Sequence, residues 1–327
     1  MFSSNSKIIY NNMENQTPII KKKKYTIITD VKRNPFSYLL ALPAMTYIFI
    51  FGYMTIPYIM IAFQNYNYKK GIFGSEFVGF KNFEFFFRSN RAMLVTYNTL
   101  YLNILFITTG TIVAILLALM LNEITHKTYL KVTQSVLLFP NFLSWIIVSY
   151  VVFAFLSSEY GWLNSIMKAL GNKPVSMYSS ADKWPMILVL IRLWKSAGIS
   201  SIIYMATIVG IDGSLYEAAI IDGASKIKQI RYITLPLMMP TVCILTLLAI
   251  GKIFYGDFQM IYALVGDNGI ILQKTDVIDT FVYRAFRQTG DPAGAMAVGL
   301  YQAFVGFVLV YGSNLLVKKS FSDGAIF

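Results

Sequence analysis

One cysteine and one histidine are the only thiol and imidazole groups in these 327 residues. Cys243 lies in an apolar run, so the chain can build neither a disulfide framework nor a thiolate metal site. His126 stands in a polar stretch without a second histidine, which excludes a histidine metal centre and leaves little acid–base chemistry at neutral pH. No G-x-x-x-x-G-K-[ST] run occurs, so the chain has no phosphate-cradling loop with which to hydrolyse ATP in the P-loop manner. No Ser-His-Asp pattern is present either. Charge is scarce at 13% of residues, far below a soluble globular average.

Apolar residues fill the space, at 56% with 16% aromatic, and they come in long runs. An integral membrane protein follows, all-α, because only hydrogen-bonded helices or closed barrels satisfy the backbone in lipid. The net charge of +12 does not point to nucleic acid. Lys7, Lys21 to Lys24, Lys32 and Arg33 precede the first apolar run, where positive charge sets topology. Residues 1–35 therefore read as a basic cytoplasmic segment.

Residues 36–63 contain no charge, and at about 1.5 Å per residue they are long enough for a retained first span. Further spans are predicted over 97–121, 132–156, 185–209, 237–260 and 296–317, giving six with both termini on the cytoplasmic side. The long loops 64–96, 157–184 and 257–295 then lie outside as interfacial helices or a docking platform, and 320–327 is a cytoplasmic tail. A membrane glycosyltransferase would need a larger catalytic domain than these loops supply.

The charged stretch 210–236 falls between two apolar runs and should sit in water beside the membrane. Ser214 and Glu217 have capping-box spacing, Gly223 permits a sharp turn, and Pro236 cannot continue a helix from before it. Two short helices joined by a turn are expected. Glu217-Ala218-Ala219, then Gly223, then Ile233-x-Leu235-Pro236 resemble the EAA motif in the coupling loop of permease subunits of binding-protein-dependent ABC importers. The resemblance implies a type I importer permease whose residues Tyr216, Glu217, Ala218, Ala219, Asp222, Gly223, Ala224, Leu235 and Pro236 meet an ATPase subunit. Pro140, Ser144, Gly161, Asn164, Trp194-Lys195-x-x-Gly198, Thr275 to Arg284 and Ala297 to Leu300 are similar to the branch importing polysaccharide-derived oligosaccharides, including alginate-type and polygalacturonan-type systems.

That resemblance implies a bacterial cytoplasmic-membrane location and a permease domain over 36–319. It also implies a second, different permease chain, two ATPase subunits that hold ATP and magnesium, and an extracytoplasmic substrate-binding protein. This chain itself would bind no cofactor and no metal. A permease for a neutral oligosaccharide or for another solute such as an amino acid or anion, and a membrane receptor or scaffold that does not transport, are the rival readings.

Arg192, Lys195 and Lys252 fall inside predicted spans at a similar depth, and intramembrane charges mark cavities or partners. Arg192 and Lys195 are three apart, hence on one helix face. A cationic cavity wall for uronate carboxylates is the expectation. Trp194, Tyr255 and Asn141 are the further substrate-path candidates, with Trp145, Tyr150, Tyr204, Tyr301, Gln259 and Gln302 behind them.

Overall fold

Apolar runs this long satisfy their backbone hydrogen bonds within helices, and the computed structural model is mostly helical over the residues it describes, 27–89 and 91–320. The lysine cluster at 21–24 and the tail at 321–327 lie outside the described residues. Among the described residues, five helices are long and apolar enough to cross a membrane, or six if one bent pair counts as a single span.

The chain divides at Tyr58 into two units. In the first, Ile27–Arg33 and Pro35–Ile48 are helical, and no residue of the latter is buried. A π-helical turn, Phe49–Tyr53, follows it. Pro57 has no N–H to return to the Tyr53 carbonyl, and the helix changes its hydrogen-bond register there rather than running straight.

In the second unit the helices Ala92–Asn122 and Trp184–Val209 pair along most of their length. Ala114 and Ala118 on the first meet Tyr204 and Ile208 on the second, small residues allowing close approach. The upper core joins Leu102, Phe106, Val148, Trp184, Leu188, Met260 and Ile261. Another cluster sets Phe86, from the short helix Lys81–Phe87, against Phe254, Ile278 and Val298. The loop over 64–96 is thus folded onto the bundle. Gln64–Asn65 pairs antiparallel with Glu76–Phe77, and the Asn82 amide donates to the carbonyls of Ala62 and Gln64.

Two predicted spans need correction. The run 132–156 is not one helix: Lys127–Phe142 and Trp145–Leu156 meet at 96°. Pro140 ends the first piece in a 3-10 turn, and the Ser144 hydroxyl accepts from the Ile147 N–H to start the second. The predicted span 237–260 instead runs Lys226–Ile250. Pro236 does not stop it, because the π-helical turn Ile230–Thr234 widens the helix just before the proline and shifts the register past the missing N–H. Lys252 and Tyr255 therefore lie beyond the span, in the turns that lead to the helix Phe258–Val265.

Candidate functional site

Between Val209 and Lys226 a short helix, Gly213–Ile221, stands outside the spans. Its cap is Asp212, whose carboxylate accepts from the Ser214 N–H at 3.0 Å and is held below the usual carboxylate range by that bond. The Ser214–Glu217 capping box does not form. Starting two residues earlier gives the helix a better-placed acceptor, and Glu217 is left exposed. At the far end Gly223 has φ +73°, and the Ala224 N–H bonds to the Ala219 carbonyl at 2.8 Å, closing a Schellman-type turn.

The loop is anchored from inside and bare outside. Tyr216 Oη and Thr234 Oγ1 share a hydrogen bond of 2.9 Å, which ties the short helix to the π-helical turn. Lys226 pairs with Glu123 at the end of Ala92–Asn122, at 3.3 Å and largely in solvent, so the pair adds little stability. Ile220, Ile221, Ile227 and Tyr232 are exposed beside Glu217, Ala218 and Asp222. Leu235 is half-buried and Pro236 exposed at the foot of the span.

Deeper in the bundle, Phe106, Thr111, Arg192, Ser196, Ser200 and Tyr204 line a cavity of about 240 Å³. Arg192 lies over the Phe106 ring at 4.6 Å and pairs with Asp257 at 3.4 Å. Asp257 also caps the helix Phe258–Val265 by accepting from the Met260 N–H. Sequence reasoning missed Asp257, which its bounds put where the span 237–260 and the outside loop 257–295 overlap.

Lys195 does not join Arg192. It is 7% exposed, and its ammonium donates to the carbonyls of Pro140, Asn141 and Leu143 at 3.4, 2.9 and 2.6 Å, over the Trp145 ring at 5.1 Å. These are the carbonyls released where the third span breaks, so the lysine acts as a tethered cation at a half-helix C-terminus. Three residues on, a Cβ at Gly198 would collide with the Leu137 carbonyl oxygen, and only glycine lets the two backbones meet. The Trp194-Lys195-x-x-Gly198 pattern is the seam between the fourth span and the broken third.

The other substrate-path candidates are dispersed. Trp194 faces an apolar groove with Val151, Phe155 and Leu190, and Lys252 is exposed in its turn. Asn141 contributes its carbonyl to Lys195, while the carbonyl of Tyr255 accepts from Asn103 at 3.0 Å. Tyr150 and Gln259 are exposed, and Gln302 is buried with its amide on the Phe254 carbonyl. Tyr301 packs among Phe86, Phe87 and Phe254.

Asp279 was also missed. Its carboxylate accepts from the Gly256 N–H and the Gln302 amide, fastening the turns after the fifth span to the sixth. Burial pushes its carboxyl above the usual range, with those donors partly offsetting the rise. On Ala92–Asn122, Asn98, Thr99 and Asn103 bind backbone of residues 253–278. Two asparagines five apart in an apolar run are the signal that could have found them.

Compared with known proteins, residues 110–321 match the family described as binding-protein-dependent transport system inner membrane component. The chain is 33% identical over 294 residues to Protein LplB of Bacillus subtilis, covering 90% of this chain and 92% of that one. It is 34% identical over 304 residues to the polygalacturonan/rhamnogalacturonan transport system permease protein YteP of the same organism, covering 93% and 94%. Among solved structures, a chain of a bacterial alginate ABC transporter in complex with an alginate pentasaccharide-bound periplasmic protein is 32% identical. It superposes with a TM-score of 0.79 over 90% of this chain and 97% of that chain.

Proposed function

The chain belongs to the family of inner-membrane components of binding-protein-dependent transport systems, and from that premise we propose that it forms half of the translocation path of an importer for acidic oligosaccharides. It is a permease subunit of a sugar ABC importer, a transport subunit rather than an enzyme. The acidic cargo is supported by the relatives: YteP is named for polygalacturonan and rhamnogalacturonan, and a second solved neighbour imports the acidic polysaccharide alginate. Both termini face the cytoplasm, as does the Gly213–Gln229 loop. A second, different permease chain completes the path, and two ATPase subunits on separate polypeptides hold ATP and magnesium. A substrate-binding protein delivers cargo from outside.

The observation that carries the coupling role is the loop's bare outer face. Ile220 and Ile221 project into solvent from a helix capped at both ends and bonded through Tyr216 to Thr234 in the π-helical turn of the fifth span, and Ile227 is exposed just past the Gly223 turn. Such a patch outside the lipid needs a protein to cover it, and a groove in an ATPase subunit fits a short helix presented in this way. Movement of the loop then reaches the fifth span through Thr234.

The test is ATPase stimulation in the reconstituted complex across neutral and acidic oligosaccharides. Stimulation confined to uronate oligomers is the expected result, and stimulation by neutral oligomers alone overturns the acidic cargo. Glu217→Ala should leave the permease in the membrane but weaken co-purification of the ATPase. Unchanged co-purification removes Glu217 from the contact.

A further inference from the structure

The cavity beside Arg192 carries no net charge, since Asp257 already balances its guanidinium. The excess positive charge of this region lies elsewhere. At the end of the bundle opposite the coupling loop, Arg91, Asp267, Arg284, Arg287 and Gln288 line an open cleft of about 610 Å³. Arg91 directly precedes the helix Ala92–Asn122, and the far end of that helix meets Lys226 of the loop, about 45 Å away at the helical rise.

The carboxylates near the cleft do not cancel it. Asp276 is buried and binds Arg284, and Asp267 faces Arg287 at 3.6 Å with both side chains more than half exposed. Three guanidiniums against two carboxylates leave one positive charge. Arg284 Nη1 and Asp276 Oδ2 are both buried without a partner among the described residues, so the accessible positive charge of the cleft is that of Arg91 and Arg287.

An aromatic platform stands beside these arginines. Phe258 and Tyr262 stack at 5.3 Å, and Tyr283 meets both edge-on at 5.0 and 5.1 Å. Arg287 donates to the Tyr262 hydroxyl at 3.3 Å, which joins the platform to the cleft. Sugar rings lay their C–H faces on aromatic rings, and guanidinium forks match carboxylates in plane. Both recognition elements needed for a uronate occur here within one group of side chains.

The helix Phe258–Val265 links this group to the inner cavity. Asp257, at its start, pairs with Arg192, and Asp267, just past its end, pairs with Arg287. Its eight residues span about 12 Å, the length of two to three sugar units.

We infer that the arginine cleft and the Phe258–Tyr262–Tyr283 platform form an entry subsite that binds a uronate residue of the cargo before it reaches the cavity at Arg192. This rests on the acidic-cargo reading above. The subsite releases the sugar readily, because Arg287 is largely solvated and its carboxylate contact is screened.

The complete importer in nanodiscs tests it, by saturation-transfer NMR with trigalacturonate and with its methyl ester. Wild type should bind trigalacturonate and hold the ester at least threefold more weakly. Arg287→Gln and Arg91→Gln should each weaken trigalacturonate about three- to tenfold and the ester less than twofold, and Tyr283→Leu should weaken both ligands. Equal weakening of acid and ester by the arginine variants, or none, overturns the subsite. So does an arginine effect seen only as a higher concentration of binding protein for half-maximal ATPase, since that describes a protein-docking surface. Uronate-stimulated ATPase that persists beside such a result leaves the cargo reading standing and removes the subsite alone. A wild-type complex whose ATPase ignores uronates removes both.

Discussion

Lys195 and Arg192 share a helix, a charge and a spacing of three, yet they do different work. A helix face about 100° wide can serve two neighbours, and the lysine stem is long enough to reach the gap in the third span while Arg192 turns to Asp257. Removing the ammonium leaves the Asn141 and Leu143 carbonyls without their donor in a water-poor seam, while Pro140 keeps the Leu143 N–H, a loss of about 2 kcal/mol or more. Lys195→Met should therefore lower the amount of folded permease recovered from the membrane and depress transport of every cargo alike. Abundance and thermal unfolding of the purified variant check this. Normal abundance with a loss confined to acidic sugars would restore Lys195 to the cavity wall. The charges themselves were legible in the sequence. Their assignment was not, because it depended on a break in a chargeless run where Pro140 was the one hint and continuity the natural reading.

At the scale of the element, the coupling loop was the most legible part of the chain. A charged stretch between apolar runs, with a glycine in the middle, has few other solutions. Gly223 was expected to turn sharply, and its φ of +73° does so. A Cβ there meets nothing within 4 Å, so the demand on this position is conformational and not one of space. Gly223→Asn should accordingly keep most coupling, since asparagine tolerates the left-handed region, whereas Gly223→Val should lose about 1–2 kcal/mol of local order and separate ATP hydrolysis from transport. Transport per ATP hydrolysed, compared between the two variants, decides it. Equal behaviour of asparagine and valine would mean that the turn is not what transmits the motion. The cap was misread by two residues, and Pro236 by its whole consequence. Proline stops an α-helix, but a π-helical turn before it lets a span pass through, and nothing in local composition distinguishes the two outcomes.

For the whole molecule, the sequence supported six spans and an all-helical fold, while the folding of the long loops onto the bundle depended on long-range pairs that no periodicity reports. Asp279 is one of these, and it makes stability depend on pH. Its folded-state carboxyl sits above the ordinary value of 3.8, so the fold retains a proton that the unfolded chain has released. The associated stability is complete below the ordinary value and is lost as pH rises through the raised one. Asp279→Asn keeps an oxygen for Gly256 and Gln302 without the titration. It should therefore match wild type in acid and exceed it in thermal stability near neutral pH. A gap that does not change with pH would show that the carboxylate is not the strained group. The seam at Lys195 bears in turn on how the protein is made. Its ammonium lies 55 residues downstream of Pro140, so at about 5–20 residues per second the ribosome delivers it roughly 3–11 s after the break it satisfies. During that interval the nascent third segment holds bare carbonyls and cannot be released into lipid as a finished hairpin. The two segments are therefore expected to enter lipid together, which crosslinking of arrested nascent chains to the translocon would check.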